Sequence, residues 1–297
     1  MKLLSEEEVR QLLNMTELIP AMAKALSGLS AGEVSQPLRT VLAVPEHQGF
    51  FAVMPARSGA MGAKLVTFYP RNEKIHTHHA MILLFRVETG EPLVVMDGRL
   101  ITEMRTAAVS AVATKLLARE DTRVLAIIGS GVQTRSHLEA LRLVRDFDDV
   151  RVWSPHNATA FAQKFNVHAA DSAEKAVRGA DVVVVATAST TPVLHGEWLQ
   201  PGAHVNAVGA TRPSWRELDD AALDRAQIFV ESREAAMMES GDVIAAAKPV
   251  VEIGAVLAKE QNERDTANEI TLFKSVGVAV EDIAAAQLVW SKMETRT

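Results

Sequence analysis

The stretch Val124-Leu125-Ala126-Ile127-Ile128-Gly129-Ser130-Gly131-Val132-Gln133-Thr134 constrains the fold more than any other part of the chain. A continuous apolar run enters a Gly-x-Gly turn, and apolar residues then recur at helical spacing (Leu138, Leu141, Val144). That order predicts a buried parallel strand, a tight turn and a helix. Gly129 permits the turn, and Gly131 lets the backbone approach a pyrophosphate, whose charge faces the free N–H groups of the helix start. Thr134 stands where a third glycine would complete the dinucleotide fingerprint. Further strands are expected at 150–153, 181–186, 204–208, 227–231 and 270–273, with helical stretches between several of them. Alternation of this kind predicts a doubly wound parallel sheet that binds its ligand at the carboxyl ends of its strands.

Upstream the periodicity differs. Ser5 followed by Glu8 reads as a capping box opening a helix, and a second helix is expected over 16–29. Short apolar segments follow at 40–44, 49–54, 62–68, 81–85 and 92–98. Pro45-Glu46-His47, Pro55, Pro70-Arg71-Asn72 and Thr89-Gly90-Glu91 separate them as turns. Strands joined so closely make an antiparallel sheet, hence an α+β unit. A helix over 102–117, rich in alanine, leads to the second unit, and a last helix over 278–293 is expected to return to the first. The expected fold class is α/β, with a substrate-binding and dimerisation domain (1–117 with 278–297) beside a dinucleotide-binding domain (118–277).

Several function classes are disfavoured by composition. Thirty-one basic against 37 acidic residues give a net charge of −6, which argues against a nucleic-acid partner or an anionic membrane surface. No apolar run reaches membrane-spanning length. With no cysteine there is no thiolate nucleophile and no disulfide frame, in keeping with a cytoplasmic setting. Acids fill the first residues, so no signal peptide is expected there.

The second Rossmann strand ends in Trp153-Ser154-Pro155-His156-Asn157, without the carboxylate that binds the ribose hydroxyls in NAD-specific sites. Ser154, His156 and Asn157 are suited to hydrogen-bond a 2′-phosphate, so NADPH is favoured, with NADH possible. Thr187, Ala188, Val208 and Thr211 fall at the ends of later strands, where nicotinamide and substrate are expected. Ser275 lies just before the last helix, where it is expected to touch cofactor. In the first unit Arg39, Lys64 and Arg105 form a candidate anion-binding set: arginine offers a planar fork to a carboxylate, lysine a point charge and a proton. His76-Thr77-His78-His79 holds no acid or thiol, so no metal site is expected; Thr77 and His78 read as hydrogen-bonding groups lining a cleft.

The segments Gln36-Pro37-Leu38-Arg39, Val53-Met54-Pro55-Ala56, Gly62-Ala63-Lys64-Leu65-Val66-Thr67-Phe68-Tyr69 and Val95-Met96-Asp97-Gly98 resemble the ornithine cyclodeaminase/mu-crystallin family. So do Arg105-Thr106-Ala107-Ala108, Gly129-Ser130-Gly131-Val132-Gln133, Pro201 to Gly209, Glu239-Ser240-Gly241-Asp242 and Phe273-Lys274-Ser275, so that the resemblance runs over almost the whole chain. It implies a homodimer built on the sheet of the first unit, and a substrate carboxylate held by Arg39, Lys64 and Arg105. It further implies cofactor contacts at Thr77, His78, Arg105, Val132, Gln133, Ser154, His156, Thr187, Ala188, Val208 and Ser275, and Thr106, Gly129, Gly131 and Asn157 are expected to join them.

Two departures separate the branches of that family. The cyclodeaminases have an aspartate where this chain has Thr211, and a glutamate where it has Ala52. The resemblance therefore implies an NAD(P)H-dependent imine reductase of the mu-crystallin branch, with Lys64, Arg39, Arg105 and Thr211 at the reacting centre. Its expected substrates are small cyclic imine carboxylates such as Δ1-piperideine-2-carboxylate and Δ1-pyrroline-2-carboxylate, giving L-pipecolate and L-proline. The alternatives are an ornithine cyclodeaminase, an alanine-dehydrogenase-like enzyme, or an NADPH-dependent binding protein for a small molecule of thyroid-hormone type.

Overall fold

The structure is a computed structural model that describes residues 1–295. It divides into two compact units, Met1–Arg105 with Gly277–Thr297, and Thr106–Val276. The division falls inside a helix, where periodicity alone placed it at the helix's end.

Unit 1 comprises β1 (Lys2–Leu4), α1 (Glu6–Leu12), α2 (Met15–Ser30), β2 (Thr40–Val44), β3 (Gly49–Arg57), β4 (Met61–Phe68), β5 (His78–Phe85), β6 (Pro92–Asp97), the start of α3 (Arg99–Leu117), and a last helix, Ala279–Thr295, numbered α11 after those of unit 2. Ser5 accepts from the Glu8 N–H while Glu8 reaches back to the Ser5 backbone, so the expected capping box forms. Among the described residues the strands make one sheet in the order β1-β6-β5-β4-β3-β2. It is antiparallel except where β1, too short to carry a pattern in sequence, pairs parallel to β6. Strand alternation sends Ala52, Met54, Lys64, Val66, Ile82 and Leu84 to the buried face. Both α2 and α11 pack in this unit, α11 lying on α2 and on β3 to β5. An added Cβ at Gly62 would stand 2.9 Å from the Ile283 Cδ1 atom, so glycine lets helix and sheet approach.

Pro55 was expected to break the chain, but it pairs with Ala63 inside β3. The β2 ladder on β3 ends at Val53, and Arg57 exchanges backbone bonds with Ser35 on the same side. Pro55 faces the gap between them, where no ladder donor is needed. Of the histidine tract 76–79, only His78 and His79 lie in β5, which starts at His78. The helix expected from residue 102 begins three residues earlier, where Asp97 accepts from the Arg99 and Leu100 N–H groups.

Unit 2 contains β7 (Val124–Ile128), α4 (Val132–Leu141), β8 (Asp149–Trp153), α5 (Ala158–Phe165), β9 (His168–Ala169), α6 (Ala173–Val177), β10 (Val182–Val185), β11 (His204–Ala207), α7 (Asp220–Arg225), β12 (Ala226–Val230), α8 (Arg233–Glu239), α9 (Gly241–Ala246), β13 (Val251–Glu252), α10 (Ile253–Leu257) and β14 (Ile270–Lys274). The described strands form an all-parallel sheet in the order β13-β12-β14-β11-β10-β7-β8-β9. All four valines of β10 are fully buried, as a central strand covered on both faces requires. After β9 the chain returns to the other side of β7 to lay down β10, so the sheet's switch point lies between β7 and β10. Val144, expected on the buried face of α4, lies beyond its end at Leu141.

Candidate functional site

At the switch point the turn after β7 meets the end of β10. Gly129 has a φ of +127°, and a Cβ there would sit 2.3 Å from the Ala186 carbonyl oxygen. Any side chain would force the two strand ends apart, so glycine is required twice over at this position. Around the Gly131 Cα there is open space, with nothing within 4 Å of an added Cβ. Gly131 caps α4 with no side-chain bond, leaving the first-turn N–H groups to an outside acceptor. Thr134, in place of a third glycine, is fully buried under the turn. Val132 is exposed and Gln133 half-buried at the head of the helix; the Gln133 carbonyl bonds the His137 ring, whose other nitrogen meets Ser110 on α3. An open glycine cradle facing unsatisfied N–H groups fits a pyrophosphate.

Ser154 donates to Ser130 at 2.8 Å and accepts from the Asn157 N–H, tying the β8 loop to the glycine turn. Asn157 stands at the cap of α5 but its side chain caps nothing; His156 is exposed. Beside them opens a cleft of about 400 Å³ lined on one side by Ser130, Gly131 and Arg135 and on the other by Asn157, Phe161 and Lys164. Two cations and no carboxylate line it. Arg135 and Lys164 lie outside the sequence-based set, since a helical cation ordinarily reads as solvent-facing.

Thr187, half-buried beyond β10, gives its N–H and its hydroxyl to Glu217 at 2.9 and 2.6 Å. Ala188 is exposed beside it, and Thr211 is half-buried in the loop after β11. The Val208 N–H donates to Val185. Ser275 bonds Glu231 rather than facing open space. Thr106 is buried on α3, one residue past Arg105.

In unit 1 the three expected cations converge. The Lys64 side chain, only 2% exposed, places Nζ 2.6 Å from Asp282 Oδ2. Arg105 meets Asp282 Oδ1 at 3.1 Å and Glu281 Oε2 at 2.8 Å. Arg39, half-buried, donates to the Gly277 carbonyl at 2.7 Å. Gly277 has a φ of +72°, and a Cβ there would stand 2.6 Å from the Arg105 guanidinium, so this glycine both turns the chain into α11 and leaves the arginine its place. Three cations and two carboxylates thus gather in one largely buried setting.

Burial pushes the Lys64 ammonium down to about 8; Asp282 opposes that shift, while Arg105 and Arg39 add to it. For Asp282 burial acts upward, but Arg105 and Lys64 together outweigh it and hold the carboxyl below its ordinary value. One carboxylate thus serves two cations. His78, which opens β5, is driven down to about 4 by burial, then by Lys64 and Arg105, so it is a neutral imidazole at pH 7. Thr77 precedes it and accepts from the Tyr69 N–H through its carbonyl. Glu281 and Asp282 were missed in sequence, because two acids in the first turn of a helix read as ordinary partners of its dipole.

The family model described as "Ornithine cyclodeaminase/mu-crystallin family" matches residues 1–297. The ketimine reductase mu-crystallin of Mus musculus is 46% identical, over 97% of this chain and 96% of its own length. Among solved structures, the Δ1-pyrroline-2-carboxylate reductase of Thermococcus litoralis in complex with NADH and L-proline is 37% identical. It superimposes with a TM-score of 0.95, over 100% of this chain and 98% of that one. An archaeal alanine dehydrogenase dimer with bound NAD is 34% identical, with a TM-score of 0.94 over 100% and 97% of the two chains. With its glycine turn, its parallel sheet and its match from end to end, the chain belongs to the ornithine cyclodeaminase/mu-crystallin family.

Proposed function

We propose that this protein is an NAD(P)H-dependent imine reductase acting on small cyclic imine carboxylates, with Δ1-piperideine-2-carboxylate and Δ1-pyrroline-2-carboxylate as its substrate types and L-pipecolate and L-proline as products. The observation that carries the reading is the buried Lys64–Asp282–Arg105 cluster with Arg39 beside it. Its grouped cations suit an acidic substrate group, and arginine's fork suits a carboxylate in particular. The ketimine and pyrroline-carboxylate reductases to which the chain is similar act on compounds of this class.

When bound, reduced nicotinamide supplies the hydride that the imine carbon accepts. Arg39 and Arg105 hold the carboxylate and so orient the C=N bond. Lys64, with a pKa of about 8, is protonated at neutral pH yet able to release that proton, which is what an acid facing an imine nitrogen needs. Asp282 keeps the ammonium in place and balances the charge left behind. His78, neutral and half-buried, is a hydrogen-bonding wall rather than a second acid, and Thr211 positions a water or the ring nitrogen. Ala52 is fully buried on the Lys64 face of the sheet, so a methyl group stands where a cyclodeaminase would place its glutamate. That favours reduction over internal amine attack.

The cofactor groups proposed are the Gly129–Gly131 cradle with Thr187 and Ala188. NADPH use is supported by Arg135 and Lys164 at the carboxylate-free cleft. A homodimer is proposed through the outer face of the unit 1 sheet, where paired positions carry Leu42, Phe51, Val53, Leu65 and Met81; Leu42 is 65% and Met81 50% exposed. No described helix is long and apolar enough to cross a membrane; a cytoplasmic setting is proposed because the reaction draws on reduced nicotinamide. The test is oxidation of NADPH and NADH, followed spectrophotometrically, with both cyclic imines and with pyruvate plus ammonia. Turnover confined to pyruvate and ammonia would replace this reading with an alanine dehydrogenase.

A further inference from the structure

Unit 2 buries a second charged cluster that the chemistry above leaves unused. Glu217, Asp242 and Lys274 are each completely buried. The Lys274 ammonium donates to the Gly209 carbonyl and lies 3.3 Å from Asp242 Oδ2 and 4.0 Å from Glu217 Oε2. Asp242 accepts the Glu217 and Leu218 N–H groups at 3.0 and 3.1 Å. Glu217 Oε1 in turn receives both the N–H and the hydroxyl of Thr187.

Buried charge is expensive, and three such groups in one place demand a reason beyond stability. Their outer contacts supply one. Thr187 follows β10, and Gly209 follows β11, so the cluster holds the two strand ends beside the switch point, where doubly wound sheets seat their ligand. A Cβ on Gly209 would lie 2.4 Å from Glu217 Oε1, so this glycine exists as the seat of that carboxylate. The next residue, Ala210, is buried with a φ of +49°, a left-handed conformation that a non-glycine residue keeps only when its surroundings over-determine it.

We propose that Glu217, braced by Lys274 and Asp242 and seated on Gly209, is a positioning residue that clamps the loops after β10 and β11 in the form that receives the nicotinamide half of the cofactor. This rests on reading unit 2 as the nucleotide-binding unit. The clamp is pH-sensitive. Burial raises the Glu217 carboxyl to about 7, Asp242 adding to the rise and Lys274 and the Thr187 bonds opposing it. Among the described residues, Lys274 and Asp242 are the charged groups that face it; Glu231, just past β12, turns instead to Ser275 and the Val276 N–H. Once protonated, Glu217 is a weaker acceptor and Thr187 loses a charge-assisted bond.

The test is dinucleotide affinity, read by NADH fluorescence on the full chain between pH 6 and 8.5, with thermal melting recorded in parallel. For the wild type, affinity should fall about fivefold as pH drops through 7, because charge-assisted bonds are roughly twice as strong as neutral ones. Glu217→Gln keeps an oxygen for Thr187 but cannot titrate, so its affinity should be flat over that range and close to the acidic wild-type value. Gly209→Ala, whose methyl displaces the carboxylate, should weaken NADH about tenfold, and combining it with Glu217→Gln should add nothing, as expected for two changes at one contact. A flat wild-type profile, a Gln variant that still titrates, or additive losses in the double variant would each overturn the proposal. If the wild type binds no dinucleotide at any pH, the nucleotide reading itself falls, a result distinct from the other three.

Discussion

Replacing Asp282 by asparagine isolates what the buried cluster of unit 1 does. Asp282 touches both Lys64, at 2.6 Å, and Arg105, at 3.1 Å. Asparagine keeps the shape and removes the charge. Arg105 retains Glu281 at 2.8 Å, so the ammonium of Lys64 is the group left uncompensated. An uncompensated buried charge costs about 3–5 kcal/mol, and the surviving Glu281 contact places this variant near the lower end, about 3 kcal/mol. Burial brings the Lys64 ammonium down to about 8, with Asp282 the main influence holding it up and Arg105 and Arg39 adding to the fall. Without the carboxylate it should fall by a further one to two units or so, since each unit corresponds to only about 1.4 kcal/mol.

The sign of the linkage is informative. A lysine depressed in the folded state binds its proton more weakly there than in the unfolded chain. Its contribution therefore opposes folding below about pH 8 and becomes less unfavourable as pH rises towards its unfolded value, about 10.4. In Asp282→Asn this window should open at lower pH. Urea unfolding should thus show the full deficit only below about pH 6, about 1 kcal/mol of it at pH 7, where the variant's lysine has lost much of its proton, and still less by pH 9, when the lysine is neutral in both folded proteins. In the reductase assay the decline of rate with rising pH should begin at least one unit earlier than in the wild type, on the order of the added shift. A deficit independent of pH together with an unmoved pH–rate profile would refute the assignment of Lys64 as a titrating partner of Asp282.

Gly129→Ala should cost about 1–3 kcal/mol from backbone strain alone, before its 2.3 Å clash with Ala186; denaturant titration and NADH binding should both register it. Arg135→Ala and Lys164→Ala should each lower the NADPH-over-NADH ratio of kcat/KM about tenfold, the worth of one charged hydrogen bond, while NADH turnover stays within about twofold. Met81→Asp, on the half-exposed sheet face, should halve the mass seen by light scattering if that face joins two copies.

Most of the framework was legible in sequence because the signals were strong and local. The expected span of β7 is the observed one, since an apolar run ended by Gly129 admits few other conformations. What escaped was decided by partners distant in sequence. β1, β9 and β13 are two or three residues long and exist only because a neighbouring strand offers a free edge. Pro55 reads as a stop until its gap beside β2 is known. Lys64 was conspicuous as a charge in an apolar strand, and Arg39 and Arg105 gained their weight from the resemblance of their segments, whereas the counter-charges of Lys64 and Arg105 lie 176 or more residues on in a helix whose acids looked conventional. Glu217 was hidden in the same way: its meaning comes from Gly209, Lys274 and Thr187, which sequence spacing does not bring together.

The cationic cluster of unit 1 and the glycine cradle of unit 2 are proposed to serve reduction of a cyclic imine acid. The direct measurement is steady-state oxidation of NADPH with Δ1-piperideine-2-carboxylate, using wild type and Lys64→Met side by side, with product identified by mass and chirality. L-pipecolate should form in step with NADPH consumed, and turnover in the variant should be about a hundredfold lower with cofactor affinity preserved. Undiminished turnover by Lys64→Met, or no imine reduction by the wild type with either nucleotide, would contradict it.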